Sequence, residues 1–142
     1  AGSDPIGKGL DLANAAISHA LKNVPNLRFQ VLNGEVPSHI MPLYYGASDC
    51  LLMTSMYEGS PNVVKEAMAC NLPVVAVDVG DVQERLDGVL PSEVTLRDPS
   101  LLGAAVAEIT KTCHRSTGRD RTQQFDQRVL ADQLVKIYRE LQ

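Results

Sequence analysis

The chain has no tryptophan, and aromatic residues make up only 4% of it. Its 44% hydrophobic content is therefore carried by Val, Leu, Ile and Ala. That makeup is common in parallel sheets covered by helices. A basic surplus is missing as well: the formal net charge is −4. This argues against a general nucleic-acid surface, which needs a basic field. An acidic domain can still hold phosphate locally, through helix N-termini and a few placed cations. No run of about 18 apolar residues occurs, so no segment reads as a membrane-spanning helix, and no stretch reads as a secretory signal. The cysteines, Cys50, Cys70 and Cys113, are odd in number and share no repeated spacing. They do not read as a disulfide framework or a zinc site. Cys50 and Cys70 lie in apolar segments and read as small core residues, so the expected setting is reducing and cytoplasmic. There is no D-x-D pair, and His19, His39 and His114 are scattered without a triad partner. No His/Cys/Asp set has metal-ligand spacing, and a catalytic metal is not expected.

What is present is an alternation. The 142 residues fit one domain. Leu10, Ala13, Ile17, Ala20 and Leu21 recur at helical spacing, predicting a helix from Lys8 to Asn23. Leu27–Leu32, "LRFQVL", alternates as a strand closed by Asn33-Gly34. A short helix is expected over Ser38–Gly46, a strand over Cys50–Thr54 and a helix over Pro61–Cys70. Pro73–Val77 is the clearest buried strand. A short helix from Asp81, a weak strand near Val89–Leu96 and a helix opened by Asp98-Pro99 follow. His114–Arg119 reads as a polar loop, and a last helix runs to Leu141. The expected fold class is α/β: a Rossmann-like open parallel sheet with helices on both faces. Ligands of such sheets bind outside the carboxyl ends of the strands. The loops that matter are then Asn33–Pro37, Ser55–Pro61 and Asp78–Asp81.

Two segments could carry chemistry. Gly2–Lys8, "GSDPIGK", has the spacing of a phosphate-binding P-loop. However, Gly9 stands where a Ser or Thr would bind magnesium, and Pro5 removes a backbone donor. What survives is a lysine at a helix start, either a solvated surface residue or a phosphate contact. The second segment is Tyr57–Val75, "YEGSPNVVKEAMACNLPVV". Ser60-Pro61 reads as a helix start, with Ser at N-cap and Pro at N1. Glu58-Gly59 then lies in the strand-to-helix loop. At about 100° per residue, Val63, Val64, Ala67 and Cys70 fall on one buried face, with Glu66 at its border. A carboxylate there either stays in solvent, pairs with a cation, or accepts from two neighbouring hydroxyls, as on ribose. Glu58 has the same alternatives. Gly59 leaves room for a ligand at its backbone N–H. Asn71 falls where a left-handed cap residue is expected.

"EGSPNVVKEAMACNLPVVAVDVGDVQE" (Glu58–Glu84) resembles the E-x7-E region of GT-B fold, family 4 type retaining glycosyltransferases. "GKGLDLANAAI", "VPSHIMPLYYGASDCLL" and "VLADQLVKIYRELQ" resemble flanking parts of the same domain. The resemblance implies residues 1–142 as a single nucleotide-sugar-binding domain, the C-terminal half of a two-domain enzyme. The acceptor-side N-terminal domain would be absent and the first strand truncated. It implies Glu58 and Lys8 as catalytic residues, Lys8 neutralising the departing diphosphate. Gly59, Ser60, Pro61 and Asn62 would meet the donor sugar and phosphate, and Glu66 the ribose. Gly34 and Glu35 are candidates for the base region. The implied chemistry is metal-independent hexosyl transfer with retention, from a UDP- or GDP-linked sugar and with no further cofactor. The implied setting is polysaccharide or glycoconjugate biosynthesis. The acceptor would be a glycan or lipid-linked molecule held through the missing domain. The full-length enzyme would be able to associate peripherally with a membrane, and the fragment alone would be inactive.

The sequence departs from the family pattern in places. The arginine usual five residues before the lysine is Ser3 here. The stretch between Leu32 and Val36 is short, and Asn71 replaces the usual Gly. A GT-B epimerase keeps the fold with another reaction. A phosphorylase would need its pyridoxal-phosphate lysine motif, which is not seen. A non-enzymatic Rossmann-type nucleotide-binding module is the reading from another class.

Overall fold

The computed structural model describes residues 6–32, 34–122 and 127–140. Helix α1 (Leu10–Ala20) and helix α2 (Met41–Ala47) precede strand β1 (Leu51–Met53). Helix α3 (Asn62–Ala69), strand β2 (Val74–Val77), helix α4 (Val82–Leu86) and strand β3 (Glu93–Thr95) alternate after it. Helices α5 (Pro99–Thr112), α6 (Gly118–Thr122) and α7 (Gln127–Glu140) close the described chain. The three strands form one parallel sheet in the order β1-β2-β3. Leu51 pairs with Val74, and Val75 pairs in turn with Glu93.

The core follows from the two-residue period of the central strand. All four residues of β2 are buried, as a strand covered on both sides must be. Val74 and Ala76 pack with Tyr45, Val64, Ala67, Met68, Val82 and Leu86, on the side of α2, α3 and α4. Val75 and Val77 pack with Ala16, Ile17, Ala20, Leu102, Val106 and Ile109, on the side of α1 and α5. Helices therefore cover both faces, and the expected Rossmann-like class holds. Asp98 caps α5, accepting from Ser100 N at 2.8 Å and Leu101 N at 3.1 Å. Cys50 and Cys70 pack against the two cores, as expected for small core residues. Cys50 as a whole is half-buried, yet desolvation of its sulfur pushes the thiol up to about 12, so it stays protonated.

The end of α3 explains Asn71. Leu72 N donates to Ala67 O and Asn71 N to Met68 O, both at 2.9 Å. This is the paired closure of a Schellman cap. Asn71 takes the left-handed conformation it requires, at φ 53°. Its side-chain oxygen then receives Arg119 N at 2.8 Å, tying α6 to the end of α3.

Three expectations are corrected. Leu27–Leu32 is not a strand: among the described residues it has no ladder partner, and Phe29 and Val31 are 38% and 42% exposed. Alternating side chains suit a strand, but a strand exists only where a neighbour accepts its backbone groups. The buried face of α3 is Val64, Ala67 and Met68, and Val63 is 40% exposed. The arc is centred on the i, i+3, i+4 set and leaves Val63 at its rim. Finally, His114–Arg119 is not wholly a polar loop. Ser116 is buried, and Gly118 opens α6.

Helix α7 stands apart from both cores. Leu130, Leu134, Val135, Ile137 and Tyr138 are each exposed by 44–68%. No described helix is long and apolar enough to cross a membrane.

Candidate functional site

The loop between β1 and α3 leaves the carboxyl end of the sheet, where an open α/β sheet offers its crevice. Two other segments hold it in place. The first is Gly7–Gly9, ahead of α1. Met56 N donates to Gly7 O at 2.8 Å. The Thr54 hydroxyl is shared between Lys8 O at 3.1 Å and Gly9 O at 2.9 Å. Gly9 has φ 66°, and a Cβ there would lie 2.1 Å from Thr54 O, so only glycine permits this approach. Arg97, just after β3, donates to Ser55 O at 2.8 Å and brings a second cation against the same segment.

The second brace is the loop between β2 and α4. Asp81 N donates to Gly59 O at 3.1 Å. Gly80 has φ 58°, and a Cβ on it would sit 2.2 Å from Gly59 O and 2.7 Å from Glu58 O. The Asp81 side chain gathers neighbours as well. Its Oδ2 accepts from Ser60 Oγ at 2.6 Å and from Arg85 Nε at 2.8 Å. Lys65 Nζ donates to Ser60 Oγ at 3.1 Å. Burial raises the Asp81 carboxyl, but Ser60 and Arg85 outweigh it and hold the group below its ordinary value. Its other oxygen, Oδ1, is buried without a hydrogen-bond partner.

These braces bring two predicted residues together. Lys8 Nζ donates to Glu58 Oε1 at 2.5 Å, across 50 positions of sequence. The carboxylate end is sheltered, 18% exposed, and the lysine end is open at 64%. Burial pushes the Glu58 carboxyl up; hydrogen bonds from Lys8 and Ser55, with the Lys8 charge, more than offset this and hold it below its ordinary value.

Ser60 is not the N-cap of α3. Pro61 occupies that position, and the Ser60 hydroxyl is engaged by Asp81 and Lys65 instead. Gly59 and Ser60 are exposed, Pro61 is buried, and Asn62 begins the helix in solvent. Glu66 lies four residues on, about 6 Å along the axis. It is exposed, and its Oε2 accepts from the Tyr45 hydroxyl at 2.7 Å. Gly34 and Glu35 are exposed in a separate loop, and no described hydrogen bond or ion pair joins them to the other candidates. Ser3 lies outside the described residues. Among those described, no group of three or more His, Cys, Asp and Glu could hold a metal ion.

Sequence reasoning missed Tyr45, the double role of Asp81, and Arg115. Tyr45 sits in a short helix with no periodic signal to single it out. Asp81 reads as a helix start, yet it makes no side-chain cap bond. Arg115 donates to Ser48 O, Tyr45 O and Cys70 O at 2.7, 3.0 and 2.9 Å. Three carbonyls from two helix ends could not be inferred from a polar loop.

The parallel sheet covered by helices and the braced loops at its carboxyl edge define an α/β, Rossmann-like domain. The chain belongs to the family described as glycosyl transferases group 1, of GT-B type, which it matches over residues 6–112. It is also similar to a Bacillus subtilis (strain 168) protein provisionally named a teichuronic acid biosynthesis glycosyltransferase, TuaC, with 42% identity over 52 residues. That stretch is 37% of this chain and 13% of the relative's length, so the match spans a small part of the relative.

Proposed function

We propose that this domain binds the nucleotide-sugar donor of a two-domain, metal-independent retaining glycosyltransferase. The observation that carries the reading is the Lys8–Glu58 contact, placed by two loop braces at the carboxyl edge of the sheet beside the start of α3. A departing diphosphate needs positive charge where its negative charge develops. The Lys8 side chain is 64% exposed and its ammonium supplies that charge, and the N-terminus of α3 adds its dipole. Glu58 meets the donor sugar, together with the backbone of Gly59, Ser60, Pro61 and Asn62. In this reading Lys8 exchanges the carboxylate for phosphate when the donor enters. Glu66, one turn into α3, accepts from the ribose hydroxyls. Gly34 and Glu35 border the base.

The transfer breaks the bond between the sugar's anomeric carbon and the diphosphate oxygen, through an oxocarbenium-like transition state, and forms a bond from that carbon to an acceptor hydroxyl oxygen. UDP or GDP leaves and takes up the hydroxyl proton. A glycan or lipid-linked acceptor is held by a partner domain, in cytoplasmic polysaccharide or glycoconjugate synthesis with the full enzyme peripheral to a membrane. Donor and acceptor together complete the chemistry in this reading, with no added cofactor. Titration calorimetry of the chain with UDP, GDP and their sugar conjugates tests this. Lys8→Ala and Glu66→Ala should each weaken binding about ten- to a hundredfold, the range for one lost charge-assisted contact. Failure of every nucleoside diphosphate to bind overturns the reading. Sugar transfer by this chain alone would overturn the need for a partner domain.

A further inference from the structure

We propose that Tyr45 is a positioning residue for Glu66, fixing its carboxylate for discrimination between ribose and deoxyribose. The inference rests on the donor-binding reading and deepens it. An exposed glutamate turns about three side-chain bonds, and a carboxylate that wanders recognises a diol poorly. Here the Tyr45 hydroxyl donates to Glu66 Oε2 at 2.7 Å. Tyr45 itself is only 4% exposed and belongs to the core between α2 and α3. Its phenol therefore has little freedom to follow the carboxylate, and the carboxylate must follow the phenol. Burial, with the neighbouring Glu66 charge, raises the phenol well above its ordinary value. The group thus remains a donor and never becomes a competing anion.

The frame behind the phenol is tied down too. One guanidinium, that of Arg115, takes the Tyr45 carbonyl in α2 and the Cys70 carbonyl at the end of α3. Donor and acceptor of the Tyr45–Glu66 bond thus ride on helices stapled to each other. Glu66 is exposed, and with one lone pair of Oε2 occupied, Oε1 and the rest of Oε2 remain as an acceptor pair held at one end. Two adjacent hydroxyls can donate to that pair together. A 2′-deoxy sugar offers only one.

The test is calorimetric titration of the chain with UDP, GDP and their 2′-deoxy counterparts. The wild type should prefer at least one ribonucleotide over its deoxy form. Tyr45→Phe should shrink that preference about three- to tenfold, the usual effect of releasing one pre-ordered side chain. Binding of the deoxy form should change less than about twofold, since the diphosphate and base contacts remain. In a Glu66→Ala background, Tyr45→Phe should have no further effect on the preference. Equal loss for both sugars would mean a merely structural role and would overturn the proposal. So would an unchanged ribose preference. If the wild type binds no nucleoside diphosphate, the donor reading falls and this inference with it. Should Tyr45→Phe not fold, 4-fluorophenylalanine at position 45 fills the hydroxyl's volume without donating and makes the same prediction.

Discussion

The Ser55–Pro61 loop, at the carboxyl edge of the sheet, and the separate loop around Gly34 and Glu35 are built differently. The Ser55–Pro61 loop is gripped on both sides. Gly7, Lys8 and Gly9 hold it from the turn ahead of α1, Gly80 and Asp81 from the next strand's loop, and Arg97 from beyond β3. Among the described residues, the loop around Gly34 and Glu35 has none of this. Gly34 has φ 77°, but a side chain there would meet open space. A turn can need glycine for its own backbone, or because another backbone presses on it. Only the second kind locks a site into three dimensions, because it ties elements remote in sequence to one geometry.

The largest effect should come from putting one methyl group into each loop. Gly80→Ala must displace Gly59 and Glu58, and it should cost about 3 kcal/mol in urea unfolding and strip the Lys8–Glu58 contact. Gly34→Ala pays only left-handed backbone strain, about 1 kcal/mol. Equal losses would erase the distinction between the loops. Acid should act next, and on the braced loop first. Glu58 and Asp81 both have folded values held below their ordinary ones, 4.5 for Glu and 3.8 for Asp. The stability they add is complete above those ordinary values. It is lost as pH falls from there through the lowered folded values. Thermal melts from pH 6 to about pH 2 should show this decline, and Glu58→Gln should flatten part of it. A melting curve of identical slope in the variant would count against the ion pair. The smallest effect belongs beside the open loop. Val31→Thr should change stability by no more than about 0.5 kcal/mol, as for an exposed position outside a ladder. A loss of 2 kcal/mol or more would restore the strand once expected there.

The residues explain which expectations were legible. Val74–Val77 is a short apolar run between turn signals, and any parallel sheet would bury it on both faces. Asp98-Pro99 announces a cap through local chemistry, and Asn71 a left-handed stop; both act within a few residues of themselves. Leu27–Leu32 misled because alternation describes a side-chain pattern and says nothing about whether a partner strand is at hand. Ser60 misled in a similar way. Its hydroxyl had a good local use as a cap, and Asp81, 21 positions away, outcompeted that use.

The candidate site divides along the same line. Glu58, Gly59 and Glu66 could be picked out by position and by resemblance, because a strand-to-helix loop and its helix are contiguous in sequence. Their partners could not. Lys8 reaches Glu58 across 50 residues, Tyr45 reaches Glu66 across 21, and Arg115 reaches Tyr45 across 70. By itself the sequence determined the alternation of elements from β1 to α5, the buried central strand, the Asp98 cap, the Asn71 stop and the family. The tertiary structure decided which polar groups meet, because a side-chain hydrogen bond reaches only about 3 Å, and only the packed sheet brings remote segments that close.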